Sequence, residues 1–178
     1  AAAAAAIAFA VSFLVFHRWD LIAISCGLGS AMLWVAIEDA RRFIVPDVLS
    51  LPAIPLGLIV AGALSPSDIS WQILLLHLTA VVLAGGGLFA IRVAYRRLRG
   101  RDGLGLGDVK LAAAGAAWTG LAGVSLFLVL ACLGAIVLVL IMKLRDPSRV
   151  GPQTALPLGA FLGPAIWLVW IGQQSGVV

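Results

Sequence analysis

The sequence of 178 residues is poor in charge and in the residue types that bind metals. Only 11% of its residues are Asp, Glu, Lys or Arg, whereas an ordinary soluble domain carries about 25%. It has two cysteines, no CxxC pair and two widely separated histidines, so we predict neither a metal site nor a cofactor. The net charge of +4 comes from basic residues in short clusters, a pattern that does not indicate binding to nucleic acid.

Apolar residues make up 62% of the chain and occur in runs long enough to cross a lipid bilayer. We therefore predict an all-α, polytopic integral membrane protein in which residues 1–178 form a single membrane-embedded helical bundle. About seven transmembrane segments are expected, some kinked or short, at residues 2–16, 21–37, 48–64, 71–93, 108–118, 124–142 and 156–171. Pro52 and Pro55 should kink or interrupt the third segment.

Basic residues are concentrated in alternate connections between these segments. They follow the second, fourth and sixth segments, in the stretches 41–42, 92–101 and 143–149, whereas the turns after the third and fifth segments contain none. Because Lys and Arg are enriched in cytoplasmic loops, we predict that these three connections and the N-terminus are cytoplasmic and that the C-terminus lies outside. Arg18 is the exception. We attribute the arginines of the 92–101 stretch to this topology and to lipid headgroups.

Acidic residues stand at the ends of two apolar segments that this topology brings to the same side of the membrane. Glu38 and Asp39 end the second segment, and Asp108 begins the fifth after Gly105 and Gly107. A carboxylate beside the membrane interior is costly and marks a functional site by default. Two carboxyl groups held close together share one proton, so the ionised one can activate water while the neutral one protonates a peptide carbonyl. We therefore expect an aspartyl dyad, although Asp108 could equally cap its helix.

Other polar residues near these acids allow more than one interpretation. Lys110 could tune the dyad or bind a charge on the substrate, or it could simply extend to the membrane surface. Asp47, after Pro46, is expected to be a cap or turn residue or to have a structural role near the site. Asp102 is expected to be solvated. The loop of residues 94–107 is rich in Gly and Arg and could move, so that the acids meet only when a substrate docks.

Three stretches of the sequence combine motifs that occur together in one known family. Residues 37–47, IEDARRFIVPD, contain an Asp, seven residues and then an Asp preceded by Pro. Residues 103–111, GLGLGDVKL, contain Gly-x-Gly-Asp-x-Lys, and residues 156–162, LPLGAFL, contain Pro-Leu-Gly. In these motifs, their order and their spacing, the chain resembles the bacterial type IV prepilin peptidases, which are membrane aspartyl proteases of the Gly-x-Gly-Asp type. The resemblance covers roughly residues 10–172.

This resemblance implies that Asp39, rather than Glu38, forms the catalytic dyad with Asp108. It also implies substrate-binding or site-shaping roles for Pro46, Asp47, Gly105, Gly107, Lys110, Pro157 and Gly159. The implied activity is cleavage of the short, basic leader peptide of prepilins or pseudopilins at the cytoplasmic face of the bacterial inner membrane, without a metal or cofactor. The expected partners are such a substrate and the lipid bilayer, and no oligomeric state is implied.

Longer members of that family carry an N-terminal cytoplasmic methyltransferase domain, often with paired CxxC motifs. These 178 residues contain no counterpart of it. The resemblance therefore predicts the peptidase part alone, taken from a longer protein, or a short member that lacks the methyltransferase.

Three other interpretations compete with this one. Presenilin-type and signal-peptide-peptidase-type proteases share Gly-x-Gly-Asp, but their first Asp lies beside a Tyr, whereas Asp39 lies between Glu38 and Ala40. A transporter or proton-relay protein could use Asp39 and Asp108 as proton carriers, although both stand at helix ends rather than at the membrane midplane. A non-catalytic assembly subunit would tolerate Asn in place of either acid.

Overall fold

The computed structural model describes residues 2–65, 70–146 and 156–177, and these residues form α-helices without any β-strand. The helices are α1 (Ala2–Val15), α2 (Trp19–Arg42), α3 (Asp47–Ala63), α4 (Ser70–Arg99), α5 (Leu106–Arg145) and α6 (Gly159–Gln174). The predicted all-α class is confirmed. The predicted count of about seven segments is not confirmed, because the described residues form six helices. The fifth and sixth predicted segments both lie within α5. Arg149, part of the predicted third basic connection, is outside the described residues.

The helices have the length and surface expected of a membrane protein. Three of them are long and apolar enough to cross a bilayer: Trp19–Arg42, Trp71–Arg99 and Leu106–Arg145. Large apolar side chains such as Leu14, Val82 and Ile136 are exposed, as they are on a protein whose surrounding solvent is lipid. Trp19 and Trp71, near the starts of α2 and α4, are also exposed, and Trp is enriched at membrane interfaces.

The long helix α5 is divided by a break at Gly120, where φ is 64°. Glycine adopts this positive φ easily because it has no β-carbon. A β-carbon built on Gly115 would lie 3.1 Å from the ring of Phe127, although twelve residues of straight helix would separate the two by about 18 Å. Residues 106–119, the first limb of α5, and residues 121–145, the second limb, therefore fold back against each other.

Helix α6 lies at the centre of the bundle, packed against α2 and α5. Its side chains Leu162, Ile166 and Trp170 are almost completely buried. At Gly163 the backbones approach closely, because a β-carbon built there would lie only 2.5 Å from the backbone oxygen of Met32. Small residues permit this kind of contact between membrane helices. The contact holds the first turns of α6 against the middle of α2.

Buried polar side chains connect α1, α2 and α6. The hydroxyl oxygens of Ser12 and Ser25 are 2.8 Å apart, and the Ser12 hydroxyl also donates to the carbonyl oxygen of Ala8 at 2.6 Å. The indole Nε1 of Trp167 donates to the Ser25 hydroxyl at 3.1 Å. Hydrogen bonds between membrane helices contribute about 0.6–1.7 kcal/mol each. This network fixes α6 relative to α2, the helix that carries Asp39.

Candidate active site

Asp39 lies in the last turn of α2 and is buried, with 5% of its surface exposed. Helix α2 ends at Arg42 because Phe43 adopts a left-handed conformation with φ 55° and donates its N–H to the Asp39 carbonyl oxygen at 2.9 Å. The Asp39 carboxylate in turn accepts a hydrogen bond of 2.9 Å from the backbone N–H of Ala160, in the first turn of α6. The electropositive N-terminus of α6 therefore faces this carboxylate and fixes its position.

Asp108 is the third residue of α5 rather than its cap. The helix begins at Leu106 and its N-cap is Gly105, which makes no side-chain cap hydrogen bond. Asp108 is therefore not the N-cap itself, although it lies in the first turn of the helix, where the helix dipole favours an anion. Its carboxylate instead reaches back to the backbone of Gly105, which is the position of the acidic residue in a capping box.

Both acids line one cavity of about 210 Å³. The rest of its lining comes from the connection after α2 and from the start of α5: Phe43, Ile44, Val45, Asp47, Gly105, Leu106 and Gly107. The charge of Asp39 acts on the carboxyl group of Asp108, and the backbone of Gly159 interacts with both carboxyl groups. The fold thus brings together two acids that are 108 − 39 = 69 residues apart in the sequence. The cavity is far larger than one water molecule requires.

Glycines in this site allow close packing rather than unusual backbone angles. Gly105 has an ordinary extended conformation, with φ −66°. A β-carbon built on Gly107 would lie 2.7 Å from the side chain of Val45, and one built on Gly159 would lie 2.9 Å from Asp39 Oδ2. Gly107 and Gly159 therefore serve to let neighbouring groups approach their backbones closely.

Lys110 and Asp47 form an ion pair beside the cavity. The ammonium of Lys110 lies 2.8 and 2.9 Å from the two carboxylate oxygens of Asp47. Asp47 is the first residue of α3 and Lys110 is in the first turns of α5, so the pair joins the two helix starts. Lys110 therefore has an acidic partner and does not simply extend to the membrane surface.

The remaining residues singled out in the sequence lie around this cavity rather than in it. Glu38 forms an ion pair with Arg42 at 3.4 Å, one helical turn further along α2. Pro46 caps the start of α3, and its carbonyl oxygen accepts hydrogen bonds from the backbone of Leu49 and Ser50. Pro157 precedes α6, within the turn that leads to Gly159.

Arg92 has a structural role that the sequence did not reveal. Its side chain, only 13% exposed, forms an ion pair of 3.0 Å with Asp102 and donates a hydrogen bond to the carbonyl oxygen of Leu104. Tyr95 lies one turn further along α4, and its ring packs against Gly103 so closely that a β-carbon there would lie 2.5 Å from it. The assignment of Arg92 to lipid headgroups is therefore wrong, whereas Asp102 is exposed to solvent as expected and is in addition paired with Arg92. A signal was present, since a charged residue within an apolar stretch needs a partner.

Within the described parts of the chain, no group of three or more His, Cys, Asp or Glu residues could hold a metal ion. The chemically active groups of the cavity are its carboxyl groups. Asp47 is paired with Lys110, whereas Asp39 and Asp108 form no ion pair with any residue that the structure describes.

Comparison with known proteins identifies relatives over most of the chain. The model of the type IV leader peptidase family matches residues 26–140. A prepilin leader peptidase/N-methyltransferase of Dichelobacter nodosus is 30% identical over 176 residues, which cover 94% of this chain and 56% of that protein. The protein of the same name from Pseudomonas aeruginosa is 32% identical over 144 residues, covering 78% of this chain and 46% of the relative.

A shorter relative matches along nearly its whole length. The leader peptidase HopD of Escherichia coli is 32% identical over 164 residues, which cover 88% of this chain and 95% of HopD. By contrast, the chain spans about half the length of the prepilin leader peptidase/N-methyltransferases that it matches. No solved structure matches the chain.

Proposed function

The chain belongs to the type IV leader peptidase family, and on that premise we propose that it is a membrane aspartyl endopeptidase. It removes the short, basic leader peptide from prepilins or pseudopilins, and Asp39 and Asp108 form its catalytic dyad. The observation that carries this proposal is the single cavity lined by both carboxyl groups, with the N-terminus of α6 against them.

The dyad hydrolyses the peptide bond by moving protons between water, substrate and acids. Two carboxyl groups this close share one proton at rest. The ionised carboxylate takes a proton from a water molecule as its oxygen attacks the carbonyl carbon, while the neutral carboxyl group donates its proton to the carbonyl oxygen. The proton taken from water then passes to the leaving nitrogen as the C–N bond breaks, and one hydroxyl of the tetrahedral intermediate returns its proton to the other carboxylate, which restores the dyad. The products are a carboxylic acid and an amine, and no cofactor is required.

The surrounding residues position the two acids for this reaction. The Ala160 N–H orients the Asp39 carboxylate, and the backbone of Gly105 orients that of Asp108. Because Gly107 and Gly159 have no side chains, Val45 and Asp39 approach their backbones closely. A peptide backbone entering the cavity thus meets fixed carboxyl groups rather than mobile ones, which reduces the cost of reaching a reactive geometry.

The cavity opens at the cytoplasmic face of the inner membrane. It lies where α2 ends, where α5 begins and beside the loop that follows α4, and these helix ends carry the basic clusters that include Arg41, Arg42, Arg97 and Arg99. Such clusters are retained in the cytoplasm. A basic leader that remains in the cytoplasm would therefore reach the acids directly.

Cleavage of a prepilin by the purified chain, compared with the Asp39→Asn and Asp108→Asn variants, tests this proposal. Both variants should fold and lose about 100- to 10,000-fold in kcat, which is the usual contribution of one acid–base group. Asp20→Asn is the matched control, because Asp20 lies at the opposite end of the same helix and pairs with Arg18. That variant should cleave like the wild-type chain.

Two results would count against the proposal in different ways. If one Asn variant still cleaves, that residue is not part of the dyad, and a dyad requiring both acids is excluded. If the wild-type chain has an intact fold, measured by circular dichroism and thermal unfolding in detergent, but cleaves no prepilin, the peptidase function of these 178 residues is excluded.

A further inference from the structure

Helices α2 and α3 are neighbours in sequence but stand apart in the fold. They scarcely touch each other, and a cavity of about 440 Å³ lies between them. Its lining residues are all apolar in type, and they include Ile24 and Leu28 of α2, Pro52 and Leu56 of α3, and Trp118 of α5. We refer to this space as the α2–α3 groove.

The groove is linked to the acid cavity by lining residues that the two share with a third cavity. A second cavity, of about 380 Å³, shares Val48 and Leu49 with the groove and extends to the end of α2. That second cavity shares Ile44 with the cavity of Asp39 and Asp108. The three cavities therefore adjoin one another along α2 and α3, between the level of Val60 and the two acids.

We propose that the α2–α3 groove binds the membrane-embedded apolar segment of the protein substrate, as a helix, so that the chain leaving this helix reaches the acids. This inference rests on the proposed function, and it adds the residues that hold the substrate on the membrane side of the cleaved bond. From Val48 to Val60 the groove is about 18 Å long, which accommodates about twelve residues of α-helix.

The shape of the α2 wall favours a helical peptide as the occupant. Ala23, Gly27 and Ala31 all line the groove, and their spacing of four residues places them on one face of α2. Small residues at this spacing allow the backbone of a second helix to approach closely. Moreover, no atom outside the helix's own backbone lies within 4 Å of a β-carbon built on Gly27, so this face of α2 has space for such an approach.

The apolar type of all the lining residues also favours a helical peptide as the occupant. A helix satisfies its backbone hydrogen bonds internally and presents only side chains, whereas an extended peptide would leave its N–H and C=O groups unpaired in the membrane. A lipid chain would also fit an apolar groove. A lipid chain does not need access to the two carboxyl groups, however, whereas a substrate must reach them to be cleaved.

A glycine-to-leucine pair tests the groove by filling it. Gly27→Leu places an apolar side chain where the α2 wall is open, and Gly86→Leu is the matched control, because Gly86 is an exposed helical glycine of α4 that likewise has no neighbour within 4 Å. The probe is a synthetic peptide with a basic leader followed by an apolar helix of about 20 residues. Gly27→Leu should raise KM by about tenfold and leave kcat unchanged, since only binding is obstructed. Gly86→Leu should behave like the wild-type chain.

If the wild-type chain cleaves the peptide and Gly27→Leu has an unchanged KM, the groove does not bind the apolar segment of the substrate. The proposed function would remain intact. A photo-crosslinking residue at Leu56, in the inactive Asp108→Asn background, gives a measurement that does not need cleavage. Crosslinks to the apolar part of the peptide support the groove even if the wild-type chain proves inactive. Crosslinks to lipid alone, or to a second copy of the chain alone, overturn it.

Discussion

Lys110 of α5 and Asp47 of α3 form a bidentate ion pair at the edge of the acid cavity, with N–O distances of 2.8 and 2.9 Å. Both side chains are partly exposed, at 35% and 56%, so the pair should contribute only about 0.2–1 kcal/mol to stability. Asp47 lines the cavity, so its orientation matters more for the shape of the site than for folding.

We therefore expect Asp47→Asn and Lys110→Met each to lower kcat/KM by about tenfold with little change in the thermal unfolding temperature. Because the two side chains act as a unit, the double variant should lose no more activity than either single variant. Steady-state cleavage assays on the four proteins measure this. Losses that multiply in the double variant would indicate that the two residues act independently.

Arg92 should position the loop that leads to Asp108. Its guanidinium contacts both Asp102 and the carbonyl oxygen of Leu104, and a Lys side chain cannot reproduce this planar, multidentate geometry. Arg92→Lys should therefore lower kcat by about 10- to 100-fold, because a displacement of about 1 Å at the reacting groups has an effect of this size.

The Arg99→Lys variant is the control for this prediction, because Arg99 is an exposed arginine at the end of the same helix. It should retain full activity. A positioning role for Arg92 predicts that Arg92→Lys has a lower kcat with a nearly unchanged KM. Unfolding of the Arg92→Lys protein at the assay temperature, where the Arg99→Lys protein remains folded, would instead point to a purely structural effect.

The contact between Gly159 and Asp39 leaves no space for a methyl group. A β-carbon on Gly159 would lie 2.9 Å from Asp39 Oδ2 and 3.0 Å from a methyl group of Val45. Gly159→Ala should displace the Asp39 carboxylate and lower kcat by about 100-fold, while Gly86→Ala, in open space on α4, should not. Full activity of Gly159→Ala would show that the carboxylate can move without loss of function.

The backbone contact between α6 and α2 should be important for stability. Gly163→Ala introduces a methyl group 2.5 Å from the carbonyl oxygen of Met32, and backbone atoms cannot move aside as a flexible side chain can. We expect a loss of about 1–3 kcal/mol in the free energy of unfolding, or about 2–4 °C of unfolding temperature per kcal/mol. Thermal unfolding in detergent, with Gly86→Ala for comparison, measures this. A variant as stable as the control would show that the helices separate easily.

The sequence was sufficient to predict the helical class and the proximity of the helix ends that carry Asp39 and Asp108. Long apolar runs leave little alternative to membrane helices, and alternate basic connections place the ends that carry Asp39 and Asp108 on the same side. The helix boundaries were less accurate. Helix α4 continues to Arg99 and α2 to Arg42, beyond the apolar runs, because Arg and Glu are good helix formers even where they leave the membrane.

Contacts between distant residues were not predictable from local patterns. Neither the approach of Gly159 to Asp39 nor that of Gly163 to Met32 has a signal in a single sequence, because a glycine in a helix looks the same whether or not another backbone touches it. Arg92 was misassigned for a related reason. Its immediate neighbours Ile91 and Val93 are apolar, which indicates that Arg92 needs a partner, but only the fold identifies that partner as Asp102.

The break at Gly120 leaves the first limb of α5 only 119 − 106 + 1 = 14 residues long, or about 21 Å. Helix α6, which runs beside it, has 16 residues, or about 24 Å, whereas the hydrocarbon core of a bilayer is about 30 Å thick. Short helices of this kind are matched by local thinning of the membrane. Hydrophobic mismatch is thus expected beside the two acids, where a bilayer that bends inward would bring headgroups and water toward the site. The acyl-chain length of the host lipids therefore becomes a determinant of how easily water reaches the acids.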